Sequence, residues 1–152
     1  METERKFVLQ GLPEGIHSGR KVMQGYLLFD PEVRLRKIAG EHRLTVKSTG
    51  TLSRNETELS IPGFLFGLLW PLSGANVVRK TRYQLDYNDP VLEVDVYSGK
   101  HEGLITLECE FQTTEEAEGF ELPVWVGPAI DVTYDSRFKN KELSRSGKIP
   151  DP

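Results

Sequence analysis

The chain has 152 residues, of which 38% are hydrophobic and 28% are charged, enough for one domain with a sizeable core. Its 23 acidic and 19 basic residues give a net charge of -4, which argues against the broad basic surface of a nucleic-acid-binding protein. One cysteine, no apolar run of 18 residues and no signal-peptide pattern exclude an internal disulfide and a membrane-spanning helix, and favour the cytoplasm.

Eight stretches of the chain are typical of β-strands, because they alternate in polarity or are rich in β-branched and aromatic residues. Turn signals such as FDPE, STGT and YNDP separate them. The predicted strands lie near residues 2–9, 20–29, 32–39, 42–48, 52–60, 76–86, 91–98 and 103–112. We therefore predict one mainly β (α+β) domain over residues 1–152, with a flexible tail from about residue 146.

Three segments are predicted to be helical. IPGFLFGLLWPLSG has the apolar density of a short packed helix, although Gly67 and Pro71 disfavour it. Thr114 is the predicted N-cap of EEAEGF, and Ser136 the predicted N-cap of RFKNKELSR.

Charged residues recur at every second position in nearly every predicted strand. In METERKF, Glu2, Glu4 and Lys6 share one face, because side chains two apart in a strand point the same way. The same alternation occurs in VRLR, RNETE, LEVDV and LECEF. On a single strand, such a face is usually the solvated side of an antiparallel sheet. Its repetition across the chain instead favours a pocket of coupled ionisable groups.

This pattern is explained by a sheet closed on itself in which the alternate, charged positions of each strand point inward. We call these positions the charged parity. A barrel of about eight strands leaves room for one small ligand, and its interior residues alternate with exterior ones. Buried Lys and Arg side chains call for a polyanion, and buried carboxylates call for a metal cation. We therefore expect a metal-bound polyphosphate inside the barrel, and helices or a second subunit, as in a homodimer, over its apolar outer face.

Ordered motifs along the chain resemble those of the triphosphate tunnel metalloenzymes, the CYTH domain family. These motifs, in chain order, are ETERK, VRLR, LTVK, RNETE, VRKTRY, LEVDVYSG, GLITLECEF and DVTYDSRFKNKEL. The resemblance runs from residue 2 to about 143 and is nearest to the short bacterial inorganic triphosphatases, which share QGYL at Gln24–Leu27. The chain departs from this family before Trp70, where Phe and Gly are more frequent.

The resemblance implies a closed eight-stranded antiparallel tunnel that binds a triphosphate with Mg²⁺ or Mn²⁺ and hydrolyses its terminal phosphate. Matching positions imply metal ligands at Glu2, Glu4, Glu108 and Glu110. They imply phosphate-binding cations at Lys6, Arg34, Arg36, Lys47, Arg54, Lys80 and Arg82. They imply supporting acids at Glu56, Glu58, Glu93 and Asp95.

The group that activates the attacking water has two candidates. One is a metal held near Glu56 or Glu58. The other is the pair Tyr26 and Lys80, because a lysine crowded by cations loses its proton more readily and because the resemblance to bacterial enzymes implies such a Tyr and Lys pair.

Two other functions compete with inorganic triphosphate hydrolysis. The same fold is compatible with a hydrolase or cyclase that acts on an organic triphosphate, such as thiamine triphosphate or ATP. A non-catalytic polyphosphate-binding module is the third reading, but it predicts a broken metal site, whereas all four candidate carboxylates are present.

The remaining distinctive residues favour structural roles. His17, His42 and His101 have no partner at metal-ligand spacing, and we expect all three at the surface. Cys109 lies on the apolar parity of its strand, which predicts a packed side chain rather than a nucleophile.

Overall fold

The computed structural model describes residues 3–47, 56–87 and 90–152. Its main feature is one antiparallel sheet of nine strands in the order β5-β4-β3-β2-β6-β7-β8-β1-β9. The strands are β1 (Thr3–Leu9), β2 (Ile16–Phe29), β3 (Glu32–Ile38), β4 (Glu41–Lys47), β5 (Glu56–Ser60), β6 (Val77–Leu85), β7 (Glu93–Ser98), β8 (Ile105–Phe111) and β9 (Ala129–Asp131). The mainly β prediction and its eight strands are therefore confirmed, except that residues 48–55 lie outside the described part.

The short strand β9 was not predicted. It pairs with β1 through Val8 and Ile130 and extends one edge of the sheet. Its three residues are too few to show an alternating pattern, so only the tertiary contact with β1 identifies them as a strand.

The sheet is strongly curled. Lys47 of β4 and Glu4 of β1 line the same cavity, although six strand spacings separate these strands in the sheet. In a flat sheet that separation is about 29 Å, at about 4.8 Å per strand. Among the described residues, hydrogen-bonded pairing runs from β5 to β9 without joining the two edges.

The larger hydrophobic core lies outside the wall formed by β1, β6, β7 and β8. Phe7, Val94, Leu107 and Cys109 alternate with the charged residues of these strands and are at most 6% exposed. Helix α2 (Thr114–Glu118) covers this face through the buried Ala117. The expectation that Cys109 is a packed side chain is confirmed.

A second core fills one end of the inner face. Val78, Tyr97 and Leu104 share the parity of the charged residues, yet they pack with Phe138 and with Leu143 of helix α3 (Asn140–Ser146). The alternating pattern did not predict this second core. A few apolar residues near the end of an otherwise charged parity look like ordinary variation between positions. Helix α3 therefore packs against the inner face, whereas the sequence placed helices only outside.

Both predicted helix caps differ from the structure by a small shift. The side chain of Thr113, not Thr114, accepts the hydrogen bond from the backbone N–H of Glu116 at the start of α2. Ser136 begins a 3₁₀ turn that Asp135 caps, and α3 starts only at Asn140. In both places an adjacent residue with a suitable side-chain oxygen takes the capping role.

His101 is buried, so the prediction that it lies at the surface is wrong. The ring is 1% exposed, and its Nε2 donates a hydrogen bond of 2.7 Å to the carbonyl oxygen of Leu143 in α3. This bond ties the 3₁₀ turn that follows β7 to α3 across 42 positions of sequence, a separation over which residue spacing carries no information.

Helix α1 (Gly63–Leu69) and the 3₁₀ turn Trp70–Ser73 confirm the first predicted helix. They lie on the outer face of β2 and β4, where Phe66 packs against the rings of His42 and Trp70 at centroid distances of 5.0 and 5.3 Å. Within the described part of the chain, no helix is both long and apolar enough to cross a bilayer.

Gly25 allows this close packing of the 3₁₀ turn on β2. A β-carbon built at Gly25 would lie 2.7 Å from the Ser73 hydroxyl and 2.8 Å from the Trp70 ring. We expect Gly25→Ala to lower the free energy of unfolding by about 1–3 kcal/mol in urea titrations, the usual cost of overpacking. Gly11→Ala is the control, because a β-carbon there meets no atom within 4 Å. Equal stability of both variants would contradict this packing.

Candidate active site

A cavity of about 830 Å³ opens on the inner face of the curled sheet. Its lining includes eleven of the residues that the sequence assigned to the site: Glu4, Lys6, Tyr26, Arg34, Arg36, Lys47, Glu56, Lys80, Arg82, Glu108 and Glu110. These residues come from strands β1 to β6 and β8, so they are brought together only by the curling of the sheet. The charged residues of these strands therefore face a shared cavity, although those of β5 remain exposed at its edge.

Three of the expected site residues do not line the cavity, namely Glu58, Glu93 and Asp95. Each contacts an arginine that does: Glu58 lies 3.6 Å from Arg36, while Glu93 and Asp95 contact Arg82. Glu2 and Arg54 lie outside the described residues.

Asp95 is the most deeply buried carboxylate of the site. Its exposed fraction is 0%, and its oxygens accept hydrogen bonds of 2.8 Å from Lys80 and of 2.8 and 2.9 Å from Arg82. Although burial opposes ionisation, these two cations hold the pKa of Asp95 well below its usual range. Asp95 thereby fixes the direction of two cationic side chains from behind the cavity wall.

Lys80 is buried together with Asp95. Burial and the neighbouring Arg82 lower the pKa of the Lys80 ammonium, although Asp95 opposes this shift. Its Nζ also lies 5.5 Å from the centre of the Tyr97 ring. In contrast, the pKa of Arg82 is raised, because the Asp95 carboxylate outweighs the effect of burial.

A group of carboxylates lies beside these cations on β1 and β8. Glu4 and Glu110 are paired across the two strands, and Glu108 lies 3.2 Å from Lys6 and 3.5 Å from Arg82. Burial and the negative charges of Glu108 and Glu110 raise the pKa of Glu4 to about 7. Their carboxylate oxygens are the donors that Mg²⁺ and Mn²⁺ prefer, and a cation would relieve their mutual repulsion.

These carboxylates do not form a ready-made cage in the described part of the chain. No three acidic, histidine or cysteine side chains are gathered there closely enough to be a metal-ligand set. The donor chemistry thus fits a hard divalent cation that takes its remaining oxygens from water or from a bound ligand.

Arginines dominate the opposite wall, on β3. Arg34 lies 3.3 Å from Glu32 and 3.9 Å from Glu56, and Arg36 lies 3.6 Å from Glu58. Burial and the positive charge of Arg34 lower the pKa of Arg36. Burial thus disfavours the positive charge of Arg36 even though Glu58 lies beside it.

Tyr26 lies under this wall and is 2% exposed. Its hydroxyl accepts a hydrogen bond of 2.7 Å from the side-chain amide of Gln24. Burial raises the pKa of Tyr26 to about 12, so the phenol is protonated at neutral pH.

Sequence reasoning missed several residues that line the cavity. Among them are Glu32, which contacts both Arg34 and Lys47, and Lys139, Asn140 and Lys141 at the start of α3. Glu32 shared the charged parity of β3 and was detectable from that pattern. The lysines were not, because they follow no strand and reach the cavity only through the docking of α3.

Hydrogen bonds from the cavity wall hold this C-terminal segment in place. The Tyr97 hydroxyl donates to Asn140 Oδ1 at 2.8 Å, and Lys6 Nζ donates to the carbonyl oxygen of Phe138 at 2.6 Å. Since Lys6 also contacts Glu108, one buried lysine joins the carboxylate group to the segment that precedes α3.

The chain is similar to proteins of known activity over nearly its full length. It is 40% identical to the inorganic triphosphatase of Nitrosomonas europaea over 149 residues, which covers 95% of this chain and 97% of the relative. It is 35% identical to the inorganic triphosphatase of Acetivibrio thermocellus over 150 residues, which covers 95% and 94%.

A solved structure agrees with these sequence similarities. The crystal structure of the inorganic triphosphatase NE1496 superposes with a TM-score of 0.76 at 36% identity, covering 99% of this chain and 97% of that one. No family model matches the chain.

Loss of the Asp95 charge should strongly destabilise the protein. Asp95→Asn leaves Lys80 and Arg82 buried without their shared carboxylate, which costs about 3–5 kcal/mol of unfolding free energy. The folded-state pKa of Asp95 lies below its ordinary value of about 3.9, so its contribution is fully present above that pH and is lost as the pH falls further.

Chemical unfolding at a series of pH values measures this. The difference between wild type and Asp95→Asn should be largest near neutral pH and should shrink below pH about 4. Asp86→Asn is the control, because the Asp86 side chain is 84% exposed and its contact with the exposed His17 is long, at 3.7 Å. A difference that stays constant down to strongly acidic pH would refute the role of the Asp95 charge.

Proposed function

This chain belongs to the family of inorganic triphosphatases, and we propose that it hydrolyses the terminal phosphate of inorganic triphosphate with the help of a divalent cation. The observation that carries the proposal is the convergence of six of the predicted phosphate-binding side chains on one cavity that also holds a group of carboxylates. These basic residues are Lys6, Arg34, Arg36, Lys47, Lys80 and Arg82.

The electrostatics of the cavity favour a polyanion. Buried cations are costly without compensating charge, and the lowered pKa of Arg36 and of Lys80 reflects that cost. Phosphate oxygens would supply the missing negative charge, and the planar guanidinium groups of Arg34 and Arg36 match them in pairs of hydrogen bonds. We assign these cations, with Arg54, to the binding of phosphate oxygens.

Glu4, Glu108 and Glu110, together with Glu2, are the proposed ligands of Mg²⁺ or Mn²⁺. When bound, such a cation neutralises charge on the phosphate oxygens and lowers the pKa of coordinated water. Lys6 and Arg82 hold Glu108 in place at 3.2 and 3.5 Å, and Asp95 and Glu93 hold Arg82. The carboxylates of β8 are thus connected by ion pairs to the cations of β1 and β6.

The proposed chemistry is in-line attack of water on the terminal phosphorus. The arginines and lysines orient the phosphate chain and stabilise the charge that develops on its leaving oxygen, which is the main contribution of protein to phosphoryl transfer. Of the two acids proposed near the attacking water, Glu56 lines the cavity, whereas Glu58 lies behind it on Arg36 and Arg43. We therefore favour Glu56 for that position.

Tyr26 and Lys80 are the other proposed proton-handling residues. Since the phenol of Tyr26 is protonated at neutral pH, it serves as a hydrogen-bond donor. Lys80, whose pKa is lowered by burial and by Arg82, is the residue of the pair that gives up its proton more readily.

We further propose that the sheet closes into a tunnel around the substrate. The support for closure is that β4 and β1, six strand spacings apart in the sheet, already share the cavity. A closed wall would exclude water from the phosphate chain and strengthen each ionic contact.

Hydrolysis or cyclisation of an organic triphosphate is the less favoured function. A nucleotide or thiazole head group needs an aromatic or apolar platform beside the phosphates. Among the described lining residues the aromatic rings are Tyr26 and Phe29, which stack on each other at 5.7 Å while Arg145 covers Phe29 at 4.2 Å. Both rings are thus occupied by contacts within the protein.

Phosphate release from tripolyphosphate, ATP and thiamine triphosphate, measured with Mg²⁺, Mn²⁺ and EDTA, tests the proposal. We expect release mainly from tripolyphosphate and its loss in EDTA, because the carboxylates alone would repel the substrate. Arg36→Ala should lower kcat/KM about 100-fold or more. Arg43→Ala is its matched control, because Arg43 lies opposite Arg36 on β4 and shares Glu58, but does not line the cavity. Absence of release from all three compounds would refute the activity.

The pH dependence of kcat tests the role of Lys80. If the neutral amine accepts a proton, kcat should rise with pH through the lowered pKa of Lys80, and Lys80→Arg should remove that rise. Tyr26→Phe should lower kcat and leave the pH of the rise unchanged, because a phenol with a pKa of about 12 does not titrate there. The same rise in Lys80→Arg as in wild type would exclude Lys80 as the base.

A further inference from the structure

The outer side of helix α1 and the following 3₁₀ turn is an exposed surface without a polar side chain. Between residues 62 and 75, every exposed residue is Pro, Gly, Phe, Leu or Ala. Phe64, Leu68 and Leu72 leave 72%, 70% and 69% of their surface exposed at intervals of four residues along one side. Such a stripe normally faces a protein core.

The inner side of the same helix is already packed, so the helix cannot rotate to bury this stripe. Phe66 is 6% exposed and is held between His42 and Trp70, and the Ser73 hydroxyl donates to the carbonyl oxygen of Trp70. The exposed side is therefore a fixed feature of the fold.

The adjacent outer face of the sheet extends the stripe into a patch. His42 and Val46 share one parity of β4, and His42 contacts Phe66, which places this parity under α1. On this face Leu28, Val46 and Leu59 are 53%, 36% and 52% exposed. We call the surface formed by Phe64, Leu68, Leu72, Leu28, Val46 and Leu59 the outer apolar patch.

We propose that the outer apolar patch is the interface of a homodimer, in which the patches of two copies pack on each other about a two-fold axis. At about 150 Å² for each large apolar side chain, the patch exposes roughly 500 Å². This reaches the largest patches of ordinary monomers, about 300–600 Å². It also supplies more than half of the roughly 800 Å² that each partner contributes to a standard interface.

Charge favours a second copy over a lipid surface as the occupant. The segment 61–76 contains no charged residue, although 28% of the chain is charged. Interface cores lack charge in the same way, and two-fold symmetry brings an uncharged surface against an identical one. Helices that insert into a lipid surface usually carry Lys and Arg beside their apolar face, and this segment carries neither.

Gly67 offers a probe that perturbs the interface without perturbing the monomer. It lies in α1 between Phe64 and Leu68, and a β-carbon built there meets no atom within 4 Å. Lys and Ala are both better helix formers than Gly, so neither substitution should weaken α1. In the proposed dimer, however, Gly67→Lys places a charge in the middle of the buried patch.

Sedimentation equilibrium over a range of protein concentrations tests the proposal. Wild type and Gly67→Ala should have twice the chain mass of 17.2 kDa, and Gly67→Lys should dissociate at least about 30-fold more readily. Val124→Lys is the matched control, since Val124 is 96% exposed on a different surface and should leave the dimer intact. Thermal unfolding checks that each variant is folded.

Several results would overturn the proposal. These are a monomeric wild type, a dimer that Gly67→Lys leaves unchanged, a dimer that Val124→Lys dissociates, and a monomer that sediments with phosphatidylserine vesicles through the patch. None of these measurements depends on phosphate release, so the dimer and the proposed activity can fail separately.

Discussion

The buried contact of Asp95 with Lys80 and Arg82 is the interaction on which the candidate site depends. One carboxylate with an exposed fraction of 0% directs two cations toward the cavity and offsets part of the cost of removing them from water. Arg82 extends the contact to Glu93 and Glu108, and Glu108 extends it to Lys6. The result is a connected set of ion pairs in which acids and bases of four neighbouring strands fix one another.

Two charged residues of the cavity are partly buried at a cost to their ionised forms, and both point to a ligand. Burial and the negative charges of Glu108 and Glu110 raise the pKa of Glu4 to about 7, while burial and the positive charge of Arg34 lower the pKa of Arg36. A divalent cation on the first wall and a phosphate chain on the second would relieve both at once.

The two faces of the sheet have different roles: the outer face carries most of the hydrophobic packing, and the inner face carries the candidate site. The outer face of β1, β6, β7 and β8 is covered by an ordinary hydrophobic core, and the inner face carries charge in its middle and apolar residues where α3 packs. Helix α3 thus both completes the fold and brings Lys139 and Lys141 to the cavity. At the other side of the sheet, α1 covers β2 and β4 and leaves the outer apolar patch exposed.

The sequence by itself determined the strands and the charged parity, because alternation of side chains in a strand is a local property. The order of the motifs indicated the family, and the positions matched through it supplied the predicted site residues, eleven of which line the cavity. Only the tertiary structure decided how far the sheet curls, that β9 joins β1, that His101 is buried against Leu143, and that α3 enters the inner face. Each of these rests on contacts between residues far apart in the chain, which depend on shape and packing and leave no periodic trace in the sequence.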